Sequence, residues 1–170
     1  MKVYAGIGSR ETPLDILNLM TRVAIALTND NWILRSGGAD GADTAFEIGA
    51  GRKEIYLPWN GFNGKTVDNV SYFLPPETEE ARDYVYDYHP SGLYLKQGPF
   101  KLMVRNTYQV LGADLRSPAD VVICWTSDGK ASGGTGQAMR IAKDYKIEII
   151  NLYYPNQLDD WLSKNNIDLA

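Results

Sequence analysis

Short apolar segments alternate with segments of helical periodicity along most of this chain. The apolar segments are rich in β-branched residues and are largely apolar on both faces, as in ADVVICW, and they occupy 2–7, 32–36, 53–59, 119–125 and 147–153. Strands with two apolar faces are typical of parallel sheets that are covered by helices on both sides. The alternation therefore predicts an α/β fold, a Rossmann-like three-layer sandwich with a mostly parallel sheet and helices on both faces.

The segments between these strands carry signals for helices. Apolar residues recur at helical spacing in 13–28, and Thr12 and Pro13 suit the N-cap and the first helical position. Further helices are predicted at 43–50, 75–89, 99–111, 136–145 and 156–165. The length of 170 residues fits a single domain spanning 1–170.

Residues 59–98 form the one long insert in this α/β pattern. Gly, Asn and Pro residues predict an irregular loop over 59–76, ahead of the helix at 75–89. The insert is rich in aromatic residues, namely Trp59, Phe62, Tyr72, Phe73, Tyr84, Tyr86, Tyr88 and Tyr94. We expect it to serve as a lid or as a subunit contact, and self-association is therefore a prediction.

Charge and composition narrow the classes of partner. The formal net charge is −4, whereas proteins that bind the phosphate backbone of DNA usually carry a basic surface. Single-stranded DNA is therefore a disfavoured partner, while a small anionic ligand needs only a few donors. No apolar segment approaches the roughly 20 residues of a membrane-spanning helix, so no membrane partner is expected.

The scarcity of cysteine and histidine indicates a simple chemistry. Cys124 is the only cysteine and lies in an apolar strand, so it is interpreted as inert packing. His89 is the only histidine, precedes a proline, and is interpreted as structural or solvent-exposed. No metal and no cofactor are predicted. The lack of a secretory h-region and of a disulfide favours a cytoplasmic location.

Three glycine-rich turns follow or precede predicted elements at one edge of the sheet. They are GIGSR at 6–10, SGGADGAD at 36–43 and SGGTG at 132–136. Glycine lets main-chain N–H groups approach phosphate oxygens, and a following helix N-terminus favours anions. The predicted ligand and phosphate site comprises Gly8, Ser9, Arg10, Ser36, Gly37, Gly38, Asp40, Gly41, Asp43, Arg105, Asn106, Ser132, Gly133, Gly134, Thr135 and Gly136.

Each element of this site also has a structural interpretation. Glycine in a strand-to-helix turn often only permits tight packing, and none of the three turns is followed by the Gly-Lys-Ser/Thr of a P-loop. Asp43 and Glu47 share a helix face and are the candidate catalytic carboxylates. Asp43 could equally cap its helix. Arg105 could clamp a phosphate or lie at the surface, and Arg140 is more readily a surface residue.

The motifs taken together resemble a known family. GIGSRETP followed by ILRSGGADGADTAFEIG is similar to the DNA-processing protein A/Smf family, whose pattern Ser-Gly-x-Ala-x-Gly-x-Asp is matched by Ser36, Gly37, Ala39, Gly41 and Asp43. VRNTYQVLG resembles the Arg-Asn-Arg helix of that family. The wider SLOG superfamily of Rossmann-like nucleotide-binding domains also includes LOG-type nucleotide phosphoribohydrolases. The resemblance implies this fold and a nucleotide-type or single-stranded DNA ligand.

Several positions depart from the family patterns. Asp40 stands where a basic residue is usual, Glu47 where histidine is usual, and Thr107 where the second arginine is usual. These changes remove contacts to a phosphate backbone. Of the LOG-type glycine loop, three glycines match, but Ser132, Gln137 and Arg140 replace its proline, threonine and glutamate.

Three functions follow as alternatives. The first is binding of a nucleotide or nucleotide-derived phosphate in the glycine-lined cleft. The second is an N-glycosidase that splits a nucleoside 5′-monophosphate, with Glu47 or Asp43 stabilising or attacking the anomeric carbon. The third is single-stranded DNA binding in recombination, which depends on the family resemblance.

Overall fold

A six-stranded parallel sheet forms the centre of the molecule. The computed structural model describes residues 1–169. The strands are β1 (Val3–Gly6), β2 (Ile33–Ser36), β3 (Lys53–Tyr56), β4 (Tyr72–Phe73), β5 (Val121–Cys124) and β6 (Glu148–Asn151). They lie in the order β4-β3-β2-β1-β5-β6, and every adjacent pair is parallel. This confirms the predicted α/β class.

Six α-helices cover the two faces of the sheet. They are α1 (Leu14–Asn29), α2 (Ala42–Gly49), α3 (Glu79–Tyr88), α4 (Gln97–Leu111), α5 (Gly133–Asp144) and α6 (Pro155–Lys164). Buried residues of α1, α2 and α6 form one core cluster with Tyr4, and those of α3, α4 and α5 form a second with Ala5. Because successive strand residues point to opposite faces, these clusters are the two interfaces of a three-layer sandwich.

The strand order reverses at β1, which pairs with β2 on one side and β5 on the other. In open parallel sheets, the crevice for a ligand lies at such a reversal, beyond the carboxyl ends of the strands. The loops that follow β1, β2 and β5 all begin at that edge. The predicted glycine-rich turns are therefore brought to one place.

Two local predictions were wrong. Pro13, with an extended backbone, occupies the cap position of α1, while Thr12 Oγ1 instead donates to the Ser9 carbonyl at 2.6 Å. Residues 59–76 are not an irregular loop throughout, because the 3₁₀ turn Phe62–Gly64 is followed by the edge strand β4. Two consecutive aromatic residues between polar loops carry too little periodicity to identify a strand from sequence.

The remaining helix boundaries agree with expectation to within a few residues. Thr78 caps α3 by accepting a hydrogen bond from the Ala81 amide at 3.1 Å.

Within residues 1–169, none of the helices combines the length and apolarity required to cross a membrane.

Candidate functional site

A cleft of about 720 Å³ opens at the carboxyl edge of the sheet. Its walls are the β1–α1 loop, one side of α4 and the loop between β5 and α5. The predicted site residues that line it are Gly8, Ser9, Arg10, Asp43, Arg105, Asn106, Ser132, Gly133, Gly134 and Thr135. The fold thus brings two of the three glycine-rich turns to the cleft, together with two residues of the turn at 36–43, Ala39 and Asp43.

The β1–α1 turn is held closed by its own hydrogen bonds. The Ser9 carbonyl accepts hydrogen bonds from the amides of Thr12 (3.3 Å) and Ala42 (3.4 Å). A Cβ at Gly8 would lie 2.7 Å from the Ala42 Cβ, so glycine there permits the loop to pack on α2. Arg10 is exposed and forms no hydrogen bond or ion pair through its side chain within residues 1–169. Its guanidinium is therefore free for a ligand.

The glycines of the second glycine-rich turn do not line the cleft. Ser36 Oγ donates to the Gly6 carbonyl at 2.6 Å, and the Gly38 carbonyl accepts from Asn63 Nδ2 and Lys65 Nζ, each at 3.1 Å. The lining therefore omits Ser36, Gly37, Gly38, Asp40 and Gly41, and also Gly136 of the third turn.

Close packing explains most of these glycines. A side chain at Gly37 would overlap Arg105 Nε and Gln109 Nε2, so its absence makes room for α4. Gly41 has φ near +80°, and its Cα approaches the Arg10 backbone so closely that a Cβ would lie 2.7 Å from the Arg10 Cα. The second turn thus follows the structural interpretation, in which glycine permits contact between main chains.

Asp43 is buried at the start of α2 and faces Arg105. Asp43 Oδ2 lies 3.8 Å from Arg105 Nη2 and accepts the Ala39 amide at 3.2 Å. The exposed fractions of the two residues are 4% and 5%. Burial raises the pKa of Asp43, although Arg105 and the Ala39 amide both act to lower it. Burial lowers the pKa of Arg105, and Asp43 opposes this effect.

Arg105 is fixed by contacts on every side. Its Nη1 donates to the Leu102 carbonyl at 2.8 Å and to Asn106 Oδ1 at 2.9 Å. The Gln109 amide is oriented here so that its oxygen, rather than its nitrogen, faces Arg105. That oxygen accepts a hydrogen bond from Arg105 Nε at 2.9 Å. The Phe62 ring from the insert lies 5.7 Å from the guanidinium carbon. Arg105 is therefore a rigid wall of the cleft rather than a surface residue.

The N-terminus of α5 forms the opposite wall. Gly133 and Gly134 are exposed, and the amides of Gly133, Gly134 and Thr135 donate to no acceptor within residues 1–169. Asn106 Nδ2 donates to the Gly134 carbonyl at 3.2 Å, which ties α4 to this turn. The arrangement leaves three unpaired N–H groups at the positive end of a helix dipole, on residues that line the cleft.

Sequence reasoning missed several residues of the lining. His89, Gln109, Phe62 and Asp128 all face the cleft. The sequence supports only a structural or solvent-exposed interpretation of His89, which comes from the insert and carries no motif. Asp128 Oδ1 accepts hydrogen bonds from Ser132 Oγ (2.8 Å) and the Lys130 amide (3.0 Å). The amide of Lys130 lowers the pKa of Asp128.

Glu47 lies outside the cleft. Its carboxylate is 2.9 Å from Lys53 Nζ and accepts a short hydrogen bond from Tyr72 OH. Lys53 starts β3 and Tyr72 starts β4, so Glu47 fastens the edge strand to α2. This placement makes Glu47 a structural residue, and of the two candidate catalytic carboxylates only Asp43 lines the cleft.

Acidic side chains outnumber basic ones in the lining of the cleft. Arg10 and Arg105 face it, but so do Glu11, Asp43 and Asp128. Within residues 1–169, no group of three or more His, Cys, Asp or Glu side chains is arranged to hold a metal ion. The donors that the cleft offers are main-chain amides, two guanidinium groups, one imidazole, side-chain amides, and the hydroxyl groups of Ser9, Thr126, Ser127, Ser132 and Thr135.

Comparisons with solved structures identify proteins of similar fold. DNA processing protein A from Helicobacter pylori, described for its single-stranded DNA binding mode, aligns with a TM-score of 0.57 and 17% identity, covering 88% of this chain and 64% of that one. DNA processing protein A from Streptococcus pneumoniae aligns with a TM-score of 0.51 and 21% identity. This alignment covers 88% of the present chain and 49% of the Streptococcus pneumoniae chain.

The chain thus spans about half to two thirds of the length of these structures. Identities at this level establish a likeness of fold. No protein-family model matches the sequence, and no curated protein matches it. The predicted similarity to DNA-processing protein A is confirmed at the level of architecture.

The Asp43–Arg105 pair provides a test of how the cleft is held. We expect Arg105→Met to cost about 3–5 kcal/mol in the free energy of unfolding, because it leaves Asp43 buried without its partner. The double variant Arg105→Met/Asp43→Asn should cost less than the sum of the two single variants, by about 0.5–3 kcal/mol. Urea unfolding of the four proteins measures this coupling, and strictly additive costs would contradict it.

His89 predicts a pH dependence of stability. Burial and the nearby Arg140 lower the pKa of His89 below its ordinary value of 6.5. The unfolded chain therefore takes up this proton more readily, so the stability that His89 contributes is complete above pH 6.5 and declines as the pH falls through its folded pKa. We expect the difference in unfolding free energy between the wild type and His89→Gln to shrink from pH 7.5 to pH 5 (roughly the window of histidine titration). Carboxylate titrations cancel in this difference, and a growing difference would contradict the prediction.

Proposed function

We propose that this protein binds a nucleotide or a nucleotide-derived phosphate ligand in the cleft. The observation that carries the proposal is the set of unpaired amides of residues 133–135, which face the same cavity as Arg10 and Arg105. A helix N-terminus with free N–H groups and a nearby guanidinium is a common way to hold a phosphate.

The phosphate would lie against α5, with Arg10 closing over it. Arg10 is the better candidate for the ion pair, because Arg105 is immobilised and its charge is offset by Asp43 at 3.8 Å. With three acidic side chains facing the cleft, each further phosphate adds repulsion. The site therefore favours a ligand of low charge, such as a nucleoside monophosphate or a phosphodiester, over a triphosphate.

The rest of the cleft suits a sugar and a base. Its apolar lining residues are Ile7, Phe62, Leu95, Pro99, Leu102 and Met103. An aromatic ring and a methionine provide contacts for a planar heterocycle. The carboxylates of Glu11 and Asp128 can accept hydrogen bonds from ribose hydroxyls. A volume of about 720 Å³ is ample for one nucleotide.

The glycosidase alternative has less support. Glu47 was its preferred catalytic group, and its carboxylate is engaged by Lys53 and Tyr72 away from the cleft. Asp43 faces the cleft but is 4% exposed and adjoins Arg105. A nucleophile needs access to the anomeric carbon, so binding without chemistry is the function that the geometry favours.

Single-stranded DNA is the second candidate ligand, because a protein of similar fold is described for binding it. The net charge of −4 and the acidic groups of the cleft argue against it here. We expect fluorescence anisotropy with a labelled oligothymidine to show no binding at about 50 mM salt, where backbone electrostatics are strong. Binding that weakens steeply with added salt would favour the DNA alternative over a mononucleotide ligand.

Thr135 offers a test of the phosphate site. It lies in the first turn of α5 and lines the cleft. We expect Thr135→Glu to lower the affinity for nucleoside 5′-monophosphates by about tenfold or more, since a carboxylate there competes for the free amides (tenfold corresponds to about 1.4 kcal/mol). Thr135→Gln has a similar size without the charge and should bind within about threefold of the wild type (roughly half that energy).

Isothermal titration calorimetry against a panel of nucleoside 5′-monophosphates measures these affinities. The acidic variant should fold as well as the wild type, because a carboxylate suits the start of a helix. Asn156→Glu places the same charge in the exposed first turn of α6 and is the matched control. If no monophosphate binds the wild type, or if both Thr135 variants bind alike, the proposed site is wrong.

A further inference from the structure

His89 lies at the corner between α3 and the 3₁₀ turn Gly92–Tyr94, where the insert meets the cleft. The corner is tightly folded, since the His89 amide donates to the Val85 carbonyl at 3.0 Å and the His89 carbonyl accepts the Gly92 amide at 3.1 Å. The imidazole is half-buried and lines the cavity beside the β5–α5 loop. It is the only histidine in the chain.

The hydrogen bonding of the ring determines its tautomer. His89 Nδ1 accepts the amide hydrogen of Ser91 at 3.0 Å, so Nδ1 carries no proton. In a neutral imidazole the proton must then reside on Nε2, which becomes a donor. Nε2 has no hydrogen-bond partner within residues 1–169 and is not among their buried unpartnered atoms. The donor is therefore free, on a residue that lines the cleft.

Arg140 holds this corner in place from α5. Its Nη1 donates to the Tyr88 carbonyl at 2.8 Å, and its Nη2 donates to the Ala131 carbonyl at 2.9 Å. One guanidinium thus links the residue before His89 to the residue before Ser132. Its positive charge also disfavours an imidazolium nearby, because like charges repel. Arg140 is a positioning residue and does not itself line the cleft.

We propose that His89 is a specificity-determining residue of the cleft, which presents a neutral Nε2–H donor to an acceptor atom of the bound ligand. The proposal rests on the proposed nucleotide-binding function and adds which chemical feature of the ligand is recognised. The acceptor is an oxygen or ring nitrogen on the side of the ligand that faces the insert. Since the neutral ring adds no charge, it discriminates between ligands by hydrogen bonding. A ligand that places a donor, rather than an acceptor, opposite Nε2–H would be disfavoured.

The tautomer can be measured without any ligand. Because His89 is the only histidine, a long-range ¹H–¹⁵N spectrum of the imidazole contains one side-chain spin system. At pH 7.5 we expect an unprotonated Nδ1 and a protonated Nε2. An Nδ1–H tautomer, or rapid exchange between the two tautomers, would overturn the proposal regardless of ligand binding.

Two substitutions separate the structural contact from the ligand contact. The side-chain oxygen of His89→Asn can occupy the position of Nδ1 and accept the Ser91 amide, as in an Asx turn, but the side chain is too short to replace Nε2. The amide nitrogen of His89→Gln can replace Nε2 as a donor but leaves Ser91 unpaired. We expect His89→Asn to retain the wild-type melting temperature and to bind nucleoside 5′-monophosphates about five- to tenfold more weakly, the effect of one lost hydrogen bond.

His89→Gln should show the reverse pattern, with a melting temperature lowered by a few degrees and an affinity within about threefold of the wild type. Wild-type affinity in His89→Asn would overturn the role of His89 while leaving the proposed function intact. If the wild type binds no monophosphate, both proposals fail together. A third outcome separates the two proposals. If the wild type binds and Thr135→Glu does not, the proposed site stands. Loss of affinity in both His89 variants would then identify His89 as a purely structural residue and overturn only its specificity role.

Discussion

The contact between the buried side chains of Asp43 and Arg105 is the constraint on which the cleft depends. Asp43 starts α2 and Arg105 lies in the middle of α4, so their pairing joins helices on opposite faces of the sheet across its carboxyl edge. Two charges that are 4% and 5% exposed are tolerated only with partners. Gly37 makes the approach of Arg105 possible, since any side chain there would overlap the guanidinium.

This arrangement divides the glycine-rich turns into two physical roles. The turn at 36–43 uses missing side chains for close packing of main chain against main chain and against Arg105. The turn at 132–136 leaves the amides of residues 133–135 unpaired, and these three residues line the cavity. Both turns contain three glycines, and what differs is whether neighbouring elements fill the space above the backbone.

The charges of the cleft then shape the kind of ligand that it suits. One free guanidinium, Arg10, and a helix N-terminus supply attraction for a single phosphate, while Glu11 and Asp128 limit the total negative charge. The insert supplies the ring of Phe62 and the imidazole of His89 to the lining of the cleft. The long departure from the α/β pattern thus contributes to the cleft as well as to the sheet edge through β4.

The sequence alone determined the layered architecture, because strands with two apolar faces and helices with one can be buried in few other ways. It also located the turns at 6–10 and 132–136 and the residues Arg105 and Asn106. Only the tertiary structure decided which candidates face the cleft. Glu47 and Asp43 share a helix face by spacing. In the structure, however, the Glu47 carboxylate contacts Lys53 and Tyr72, whereas the Asp43 carboxylate contacts Arg105. His89 carried no local signal, since its position at the cleft results from how the insert folds back over the sheet edge, and such long-range contacts leave no periodic pattern in the chain.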